Sequence, residues 1–513
     1  MAQQTGSGLD WGLILDEQDP EKVAFRFGDE AFTCRQLGAA TTALAGRFRE
    51  EFAPGEIVAV WLPNCPEQLM ACVAGFRAGI VPMPLPSEAK LPEVAGILRQ
   101  SGCRQLIVSP RRHRAMSPSD LRGLDDRGVW AIDRDRLERV AGNPGARELP
   151  DLQSRFGDAA ALVLHTSGTS CQPKGVVISR SALEHIIRGR IESAGIHRDS
   201  VAVVASSLAH SVGLYQALAF LAAGAGFDLL AGYDLRVMAE RIQRCRPTHL
   251  IMVVAAFEKL LAFPALRGWR WDHLEFASVG ADRVPGQLQK DFLARTGRTL
   301  AVSYGMTELS WILLNTSGQP GKSTSLGRPT PGVEVRLLGT DGEEVEDGEI
   351  GELAARSPKA MLGYLNDPDP VAGRMPDGWI MSGDLVRRDS DGDYWYVGRI
   401  SDVIGLASGD LVSPFEVERE LLGVPGIARC VVLGMPCRGG AGGSVSEVPW
   451  AVVVREDPAV TGDAIRDHLE ARLSDYKLPR RIVFADEIPR GASGKVSRAS
   501  LRRALMEGSA PRV

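Results

Sequence analysis

Helical and strand-like patterns alternate along most of this chain. Between residues 33 and 110, a helical spacing of apolar residues is followed by IVAVWLPN, by a second helical pattern from Glu67 and by IVPMPLP. The short apolar runs VAVVAS, HLIMVVA and LEFASVG continue the alternation up to about residue 398. Because alternating strands and helices are typical of βαβ units, we predict a large α/β domain with layered helices and sheets.

A second pattern begins after DSDGDYWYVGRISDVIGLASGDLVS, a segment rich in Asp, Gly and Ser. Beyond it, FEVERELLGV and GDAIRDHLEARLS have helical spacing, whereas ARCVVLGMP, PWAVVVRE and RRIVFADEIP are typical of strands. These elements predict a smaller α+β domain from about residue 402 to residue 513. The length of 513 residues agrees, because a single compact core rarely grows so large.

Composition limits the classes of partner. A net charge of -5 spread over the chain offers no basic face, so we expect no nucleic-acid partner. Eight cysteines occur without a CxxC pair or metal-ligand spacing, which favours reduced thiols in a cytoplasmic protein. The N-terminus lacks the pattern of a signal peptide. The apolar run from Val212 to Phe227 predicts a buried helix, since a membrane span needs about 20 apolar residues.

Small, hydroxylated residues fill the loop in LHTSGTSCQPKGVVIS, residues 164–179. Backbone N–H groups, hydroxyls and one lysine in a tight loop can surround a phosphate chain. The Pro-Lys-Gly order differs from the Gly-Lys-Ser/Thr order of the Walker A motif. On composition alone, a surface loop of turn-forming residues is an equal alternative. The candidate phosphate ligands are Thr166, Ser167, Gly168, Thr169, Ser170 and Lys174.

Three further segments carry candidate nucleotide ligands. In YGMTELS, Tyr304 offers a flat face for a base, Thr307 a hydroxyl and Glu308 a carboxylate suited to Mg²⁺. In SGD, Asp384 can accept hydrogen bonds from two ribose hydroxyls. In PRGASGKVS, Lys495 lies on a glycine-flanked loop from which an ammonium can reach a cleft. Taken singly, a solvated lysine and a turn-forming aspartate are the simpler interpretations.

In this order, TSGTSCQPKG, YGMTE, SGD, GRISD and PRGASGK resemble the motifs of the adenylate-forming superfamily. That superfamily includes acyl- and aryl-CoA synthetases, adenylation domains of peptide synthetases and beetle luciferases. LPNCPEQLMACVAGFRAGIVPMPL is also similar to a family segment, so the resemblance covers nearly the whole chain. It implies an N-terminal domain of α/β layers with mixed sheets (residues 1–398), a hinge (399–402) and a small mobile α+β domain (403–513).

The resemblance also implies a reaction in two steps. A carboxylate attacks the α-phosphate of ATP and expels pyrophosphate, and after a rotation of the small domain the acyl group passes to coenzyme A. ATP, Mg²⁺ and coenzyme A are the implied cofactors. Lys495 would bridge the carboxylate and the α-phosphate, and Glu308 would bind Mg²⁺ beside Thr307. The implied adenine and ribose contacts are Gly280, Ala281, Tyr304, Gly305, Asp384 and Arg399.

The chain departs from the family pattern at three positions. Cys171 occupies a position of the phosphate loop where glycine is usual. Ser401 stands at the usual hinge residue, although Asp402 follows it directly. Gly405 replaces a lysine in the loop that forms part of the thioester-making face. The departure at Gly405 leaves the acyl acceptor open, whereas the resemblance still implies adenylation.

The segment SSLAHSVGLY bears on the acid that is activated. Amino-acid-activating relatives carry an aspartate where this chain has Ala209, so an α-amino acid is disfavoured. His210 instead resembles the histidine near the carboxylate in acyl- and aryl-CoA ligases, with a core histidine as the alternative. Since the candidate wall carries no charge partner, we expect an uncharged aliphatic, alicyclic or aromatic acid. The candidate acid pocket contains His210, Ser211, Gly213, Val254, Phe257, Gly280, Met306 and Leu309.

Four functions remain open at this point. The first is an ATP-dependent acid–thiol ligase that uses coenzyme A. The second loads the same kind of acid onto the phosphopantetheine of an acyl carrier protein, and the third releases the acyl-adenylate without forming a thioester. The fourth is a non-catalytic nucleotide-binding member of the family, against which the intact Lys495, Glu308, Asp384 and Arg399 argue. The sequence does not indicate an oligomeric state.

Overall fold

The computed structural model describes residues 11–124, 126–142, 160–166, 174–319, 321–365, 367, 377–406, 408, 410–437, 446–489, 496 and 498–507. The chain divides into two compact units. The first contains Met1–Glu334 and Arg356–Ile380, and the second contains Val335–Ala355 and Met381–Val513. The mixed α/β architecture predicted from the alternating patterns is confirmed in these units.

The helices of the described chain are α1 (Trp11–Asp16), α2 (Cys34–Glu51), α3 (Pro66–Ala78), α4 (Leu91–Gln100), α5 (Pro110–Ala115), α6 (Pro118–Arg122), α7 (Arg180–Ala194), α8 (Ser211–Ala222), α9 (Leu235–Cys245), α10 (Val254–Ala262), α11 (Gly286–Thr296), α12 (Pro414–Leu421), α13 (Gly462–Glu470) and α14 (Arg498–Met506).

The strands are β1 (Val23–Phe27), β2 (Glu30–Thr33), β3 (Ile57–Trp61), β4 (Val81–Pro84), β5 (Gln105–Val108), β6 (Gly128–Asp133), β7 (Arg136–Ala141), β8 (Ala160–His165), β9 (Gly175–Ser179), β10 (Val201–Val204), β11 (Gly226–Leu229), β12 (His249–Val253), β13 (Phe276–Gly280), β14 (Ala301–Met306), β15 (Ser310–Asn315), β16 (Arg328–Pro329), β17 (Glu334–Leu338), β18 (Ile350–Arg356), β19 (Gly363–Tyr364), β20 (Ile380–Arg388), β21 (Tyr394–Arg399), β22 (Ile404–Gly405), β23 (Leu411–Val412), β24 (Ile427–Cys437), β25 (Ser446–Arg455) and β26 (Arg481–Phe484).

A largely parallel sheet lies near the N-terminus, in the order β4-β3-β5-β6-β7, with β7 antiparallel at its edge. Its central strands are almost entirely apolar because helices cover both faces of such a sheet. The predicted helix around Leu37 is α2, whose N-terminus is capped by reciprocal hydrogen bonds between Thr33 and Gln36. Leu37, Leu44 and Phe48 are buried, as their spacing predicted.

The larger sheet of the first unit is mixed, in the order β16-β15-β14-β13-β12-β10-β11-β1-β2. Strands β10 to β14 and β1 run parallel, whereas β2, β15 and β16 run antiparallel to their neighbours. The predicted strands VAVVAS, HLIMVVA and LEFASVG are β10, β12 and β13. Loops at the carboxyl ends of parallel strands commonly carry ligand sites, and Gly280 and Ser303 lie opposite each other at this edge.

The apolar run from Val212 to Phe227 forms most of helix α8 and then enters strand β11. Residues from Gly213 to Leu221 are buried on this helix, which confirms the predicted buried helix. No helix among the described residues is long and apolar enough to cross a membrane. The cysteines of the described chain are free thiols.

The second unit contains a four-stranded sheet, β17-β18-β20-β21, and a three-stranded sheet, β24-β25-β26. The predicted strands ARCVVLGMP, PWAVVVRE and RRIVFADEIP are β24, β25 and β26, and the two predicted helices are α12 and α13. Apolar residues of α12, α13, β24 and β25 form one core, and α14 packs with the opposite face of the sheet. The four-stranded sheet belongs to this unit, so the unit also includes residues N-terminal to the domain boundary predicted at 399–402. That boundary stays a prediction.

Candidate functional site

The predicted phosphate loop connects the antiparallel strands β8 and β9. Its central residues, Ser167 to Ser170 with Cys171, lie outside the described residues. Thr166 N–H donates to the carbonyl oxygen of Lys174 at 3.0 Å, and Lys174 N–H donates to Thr166 Oγ1 at 3.3 Å. The two ends of the loop are therefore joined by hydrogen bonds, which fix the backbone position of Lys174.

The side chain of Lys174 is half exposed, at 52% of its surface. Its Nζ lies 4.5 Å from the ring centroid of Tyr364 and 3.9 Å from Asp367 Oδ2. An ammonium over an aromatic ring is attracted to the electron-rich face. Lys174, the predicted phosphate ligand, thus contacts Tyr364 on β19 and Asp367 just beyond it.

Two glycines allow close approaches beside the predicted adenine site. A Cβ atom on Gly280 would lie 2.3 Å from the carbonyl oxygen of Ser303 on β14. A Cβ atom on Gly305 would lie 2.0 Å from the carbonyl oxygen of Ser310. Larger residues would push these backbones apart. Ala281 follows with φ +68°, in the left-handed region that non-glycine residues rarely adopt. Strain of this kind is common at ligand sites.

Glu308 lies at the tip of the β14–β15 hairpin, next to Thr307. Leu309 N–H donates to the carbonyl oxygen of Met306 at 3.2 Å and closes the turn, and Ser310 leaves it with φ +60°. The half-buried Tyr304 and the exposed Gly305 precede the tip on β14. The hairpin therefore brings four predicted nucleotide-site residues into one short segment.

The Glu308 residue is buried, with 8% of its surface exposed. Its Oε1 accepts a hydrogen bond of 2.8 Å from Tyr364 Oη, and its carbonyl oxygen accepts one of 2.8 Å from Met361 N–H. The described residues contain no group of three or more side chains suited to hold a metal. A single oriented carboxylate nevertheless fits Mg²⁺, which commonly takes one or two protein carboxylates and completes its shell with phosphate oxygens and water.

Residues of the predicted acid pocket lie on two helices, α8 and α10, on the strands β13 and β14, and in the turn after β14. His210 is the half-buried N-cap residue of α8, and Ser211 follows it. A Cβ atom on Gly213 would lie 2.4 Å from the carbonyl oxygens of Ser206 and Ser207, so α8 begins close to the preceding loop. Val254 and Phe257 are buried on α10, with the ring of Phe257 against Phe292 at 5.5 Å. Leu309 is fully buried, and Met306 is half-buried.

His165, which the sequence interpretation missed, lies at the end of β8 directly before the phosphate loop. Its Nδ1 is buried without a hydrogen-bond partner among the described residues. Burial lowers the pKa of His165 to about 4, and the electrostatic interaction with the neighbouring His210 lowers it further. His165 is therefore neutral at neutral pH. Its apolar strand context gave no signal beyond its position before Thr166.

Two buried cations, Arg190 and Lys359, were also missed. Each has 4% of its surface exposed. The Arg190 guanidinium lies 4.5 Å from the Trp311 ring centroid and 5.4 Å from that of Tyr215. Lys359 Nζ donates to Thr330 Oγ1 at 3.0 Å. Burial, followed by the charge of Arg190, lowers the pKa of Lys359 from 10.5 to about 8.

We expect Lys359→Met to stabilise the protein at pH 7. The lowered pKa means that burying the charged lysine costs about 3 kcal/mol of folding free energy. Removing the lysine recovers this cost, and the gain is reduced by about 1 kcal/mol because the hydrogen bond to Thr330 is lost. Thr330 still donates to the carbonyl oxygen of Trp311 at 2.8 Å. Because the unfolded lysine stays protonated up to its ordinary pKa of 10.5, the penalty is complete below pH 8 and fades towards pH 10.5.

Melting temperatures of both proteins at pH 7 and pH 10 would check this expectation. The variant should melt higher by a few degrees at pH 7, with a smaller difference at pH 10. Lys290→Met, at an exposed position of α11, is the matched control and should leave the melting temperature nearly unchanged. A Lys359→Met protein that melts at or below the wild-type temperature at pH 7 would contradict the assigned penalty.

The predicted ribose ligands lie in the second unit, on neighbouring strands. Asp384 on β20 is opposite Arg399 on β21, and Arg399 Nε lies 3.3 Å from Asp384 Oδ1. Asp384 N–H donates to Ser382 Oγ at 3.1 Å. The strand register thus brings together two residues that are 15 positions apart in the chain.

The predicted hinge residues form a short 3₁₀ turn, Ile400–Asp402, at the end of β21. Ser401 is exposed, and Asp402 Oδ2 lies 3.2 Å from Arg498 Nε. Arg498 Nη2 also lies 2.7 Å from Glu418 Oε1. Lys495, the predicted catalytic lysine, lies outside the part of the chain that the structure describes.

The first unit thus has the features of an adenylate-forming enzyme: a hydroxyl-rich loop that ends at a lysine, and a buried carboxylate on a nearby hairpin. Family models agree. Residues 16–365 match the AMP-binding enzyme model and residues 416–495 match the AMP-binding enzyme C-terminal domain model. The chain therefore belongs to the AMP-binding enzyme family, within the adenylate-forming superfamily, and is a ligase of the AMP-forming acyl-CoA synthetase type.

Relatives and solved structures extend over nearly the whole chain. A feruloyl-CoA synthase of Amycolatopsis sp is 32% identical, with 96% of this chain and 98% of that protein covered. An indoleacetate–CoA ligase of Aromatoleum aromaticum is 31% identical, with 94% and 95% covered. The crystal structure of ATP-bound MatB from Rhodopseudomonas palustris shares the fold, with a TM-score of 0.84 at 23% identity, over 96% of this chain and 98% of that one.

Proposed function

We propose that this protein reacts an uncharged aliphatic, alicyclic or aromatic carboxylic acid with ATP to form acyl-AMP and pyrophosphate, and then transfers the acyl group to coenzyme A with release of AMP. The observation that carries the proposal is the contact of Tyr364 with both Lys174 and Glu308. A phosphate-binding lysine and a metal-binding carboxylate must lie near each other if they act on one MgATP. A cytoplasmic location, as the cysteine usage suggests, is part of the proposal.

In the proposed first step, residues 166–174 hold the β- and γ-phosphates. Glu308 holds Mg²⁺, which supplies charge neutralisation at the phosphates. Thr307 contacts phosphate, and Tyr304, Gly305 and the turn at Gly280 and Ala281 surround adenine. Preorganised groups of this kind stabilise developing charge without rearrangement during the reaction.

The second unit supplies the remaining proposed groups. Asp384 and Arg399 bind the ribose, and Lys495 bridges the attacking carboxylate and the α-phosphate. Rotation about Ser401 and Asp402 then replaces the Lys495 loop with the face that binds coenzyme A. The ion pair of Asp402 with Arg498 supports a structured link at this point. A carrier-protein phosphopantetheine is the second candidate acceptor, and the departure at Gly405 keeps release of the acyl-adenylate without a thioester as a third alternative.

The acid is proposed to be uncharged because buried apolar residues, Val254 and Leu309 among them, supply the candidate wall. Burying a second charge beside them without a partner would cost several kcal/mol, on the order of 2–7 for a polar group and more for an ion. His210 and Ser211 would face the reacting carboxylate at the start of α8.

ATP–pyrophosphate exchange with a panel of carboxylic acids tests the first step. The panel should pair each uncharged acid with a dicarboxylic analogue of equal size. We expect exchange with a subset of the uncharged acids. A consistent preference for dicarboxylic analogues would overturn the proposal of an uncharged substrate. Arg190 and Lys359 would then be the candidate partners of the second carboxylate. If no acid in the panel supported pyrophosphate exchange, the result would favour the non-catalytic alternative.

The acceptor needs a separate experiment. The acid identified by exchange is incubated with ATP and either coenzyme A or a holo acyl carrier protein, and the products are separated by mass spectrometry. We expect the coenzyme A thioester. Accumulation of acyl-adenylate in both reactions would instead support release without thioester formation, and acylation of the carrier alone would favour the carrier-protein ligase.

A further inference from the structure

The segment from Met361 to Leu365 connects two parts of the proposed ATP site. Met361 N–H donates to the carbonyl oxygen of Glu308 at 2.8 Å. Leu362 N–H donates to the carbonyl oxygen of Val177 at 2.8 Å, and Leu365 N–H donates to that of Gly175 at 2.7 Å. The short strand β19 thereby pairs with β9, directly after Lys174. One five-residue segment is fixed to both the metal-site hairpin and the end of the phosphate loop.

Close packing restricts how far this segment can shift. A Cβ atom on Gly175 would lie 3.2 Å from Leu365 Cβ, a separation that is tighter than ordinary van der Waals contact. Leu365 is buried in the same apolar cluster as Val163 and Val177. Because the backbone on both sides of Tyr364 is held by hydrogen bonds and packing, its side chain starts from a well-defined position.

Tyr364 contacts Glu308 through its hydroxyl group. Tyr364 Oη donates to Glu308 Oε1 at 2.8 Å. Hydrogen bonds to a carboxylate are about twice as strong as those between neutral groups. One carboxylate oxygen is thereby engaged by the tyrosine, which limits rotation of the carboxylate. This matters for Mg²⁺, whose near-octahedral shell tolerates little error in ligand position.

Tyr364 contacts Lys174 through its ring. Lys174 Nζ lies 4.5 Å from the ring centroid, within the range of a cation–π interaction. Asp367 Oδ2, three residues further along the chain, lies 3.9 Å from the same ammonium. The Lys174 side chain is 52% exposed, so without such contacts a flexible lysine would sample many rotamers.

We infer that Tyr364 is a positioning residue that fixes the Glu308 carboxylate with its hydroxyl and the Lys174 ammonium with its ring. This inference rests on the proposed function of the site. The two contacts use different parts of one side chain, so substitution can separate them. Tyr364→Phe removes the hydroxyl and keeps the ring, whereas Tyr364→Leu removes both.

Binding of ATP at a series of Mn²⁺ concentrations tests this inference apart from catalysis, with Mn²⁺ measured by electron paramagnetic resonance and ATP by calorimetry. For Tyr364→Phe we expect about a tenfold higher Mn²⁺ concentration for half-saturation, as for a lost hydrogen bond to a charged group. ATP affinity at saturating Mn²⁺ should stay within about twofold. For Tyr364→Leu we expect ATP affinity at saturating Mn²⁺ to fall by a further factor of about five.

Matched variants separate positioning from general damage. Tyr394→Phe, at a buried tyrosine of β21 in the second unit, should retain wild-type Mn²⁺ and ATP binding. Melting temperatures show whether the Tyr364→Leu protein folds. If it does not fold, the Mn²⁺ dependence of Tyr364→Phe alone tests the inference. Wild-type Mn²⁺ dependence in Tyr364→Phe would overturn the inference.

The outcome also distinguishes the inference from the proposed function. The proposed function would be wrong if the wild-type protein bound Mn²⁺ and ATP but no acid supported pyrophosphate exchange. In that case the binding measurements on the Tyr364 variants would still test the inference. A wild-type protein that binds no ATP at any Mn²⁺ concentration would overturn both.

Discussion

Glu308→Gln is expected to reduce acid-dependent pyrophosphate exchange by about 10²–10³-fold, the range typical for loss of one preorganised electrostatic group. Glutamine keeps the size of the side chain and an oxygen that can accept the hydrogen bond from Tyr364 Oη. The variant loses only the negative charge that we propose attracts Mg²⁺. Because Glu308 is a buried carboxylate, its neutral replacement should not lower the melting temperature.

The Mg²⁺ dependence gives the decisive measurement. Exchange by Glu308→Gln should require a higher Mg²⁺ concentration, and part of the loss should be recovered at high Mg²⁺. Glu240→Gln, at an exposed position of α9, is the matched control and should behave as the wild type. If Glu308→Gln exchanged pyrophosphate at the wild-type rate in limiting Mg²⁺, the metal assignment of Glu308 would be wrong.

Elements with a strong local pattern could be predicted from the sequence. Helix α2 has buried residues at helical spacing and a Thr33 cap, and β12 and β13 are short apolar runs between helices. These signals depend on neighbouring residues in the chain, so they do not require knowledge of the tertiary structure. The order of motifs likewise indicated the family, because it depends on residue types and spacing alone.

Contacts between distant segments could not be predicted in this way. Tyr364 and Glu308 are 56 residues apart, and β19 has only two residues and no periodic pattern. Lys359 and Arg190 are polar residues of a kind normally exposed, and only their neighbours in the fold show that they are buried. The ion pair of Asp384 with Arg399 depends on the strand register between β20 and β21. Tertiary packing determines each of these features.

Lys495→Ala is expected to reduce pyrophosphate exchange by about 10³-fold, at the upper end of the range for a single electrostatic group, while ATP binding survives. The proposed first step brings a carboxylate against the negatively charged α-phosphate. Two unit charges 4 Å apart repel each other by about 4 kcal/mol at an effective dielectric constant of 20. An ammonium between them would offset this repulsion as the new bond forms, whereas the β- and γ-phosphates are proposed to be held by other residues, Lys174 among them.

Calorimetric titration with ATP and Mg²⁺, together with pyrophosphate exchange, would measure the two quantities separately. Lys495→Ala should bind ATP within about threefold of the wild type, since the proposed role of the lysine is to stabilise the transition state. Lys495→Arg keeps the charge but spreads it over a planar group, so we expect it to recover only part of the exchange. Lys290→Ala, which removes an exposed lysine of α11, controls for the change in net charge. An unimpaired exchange rate in Lys495→Ala would refute its assignment, because the repulsion between the two anions would then be offset by another group.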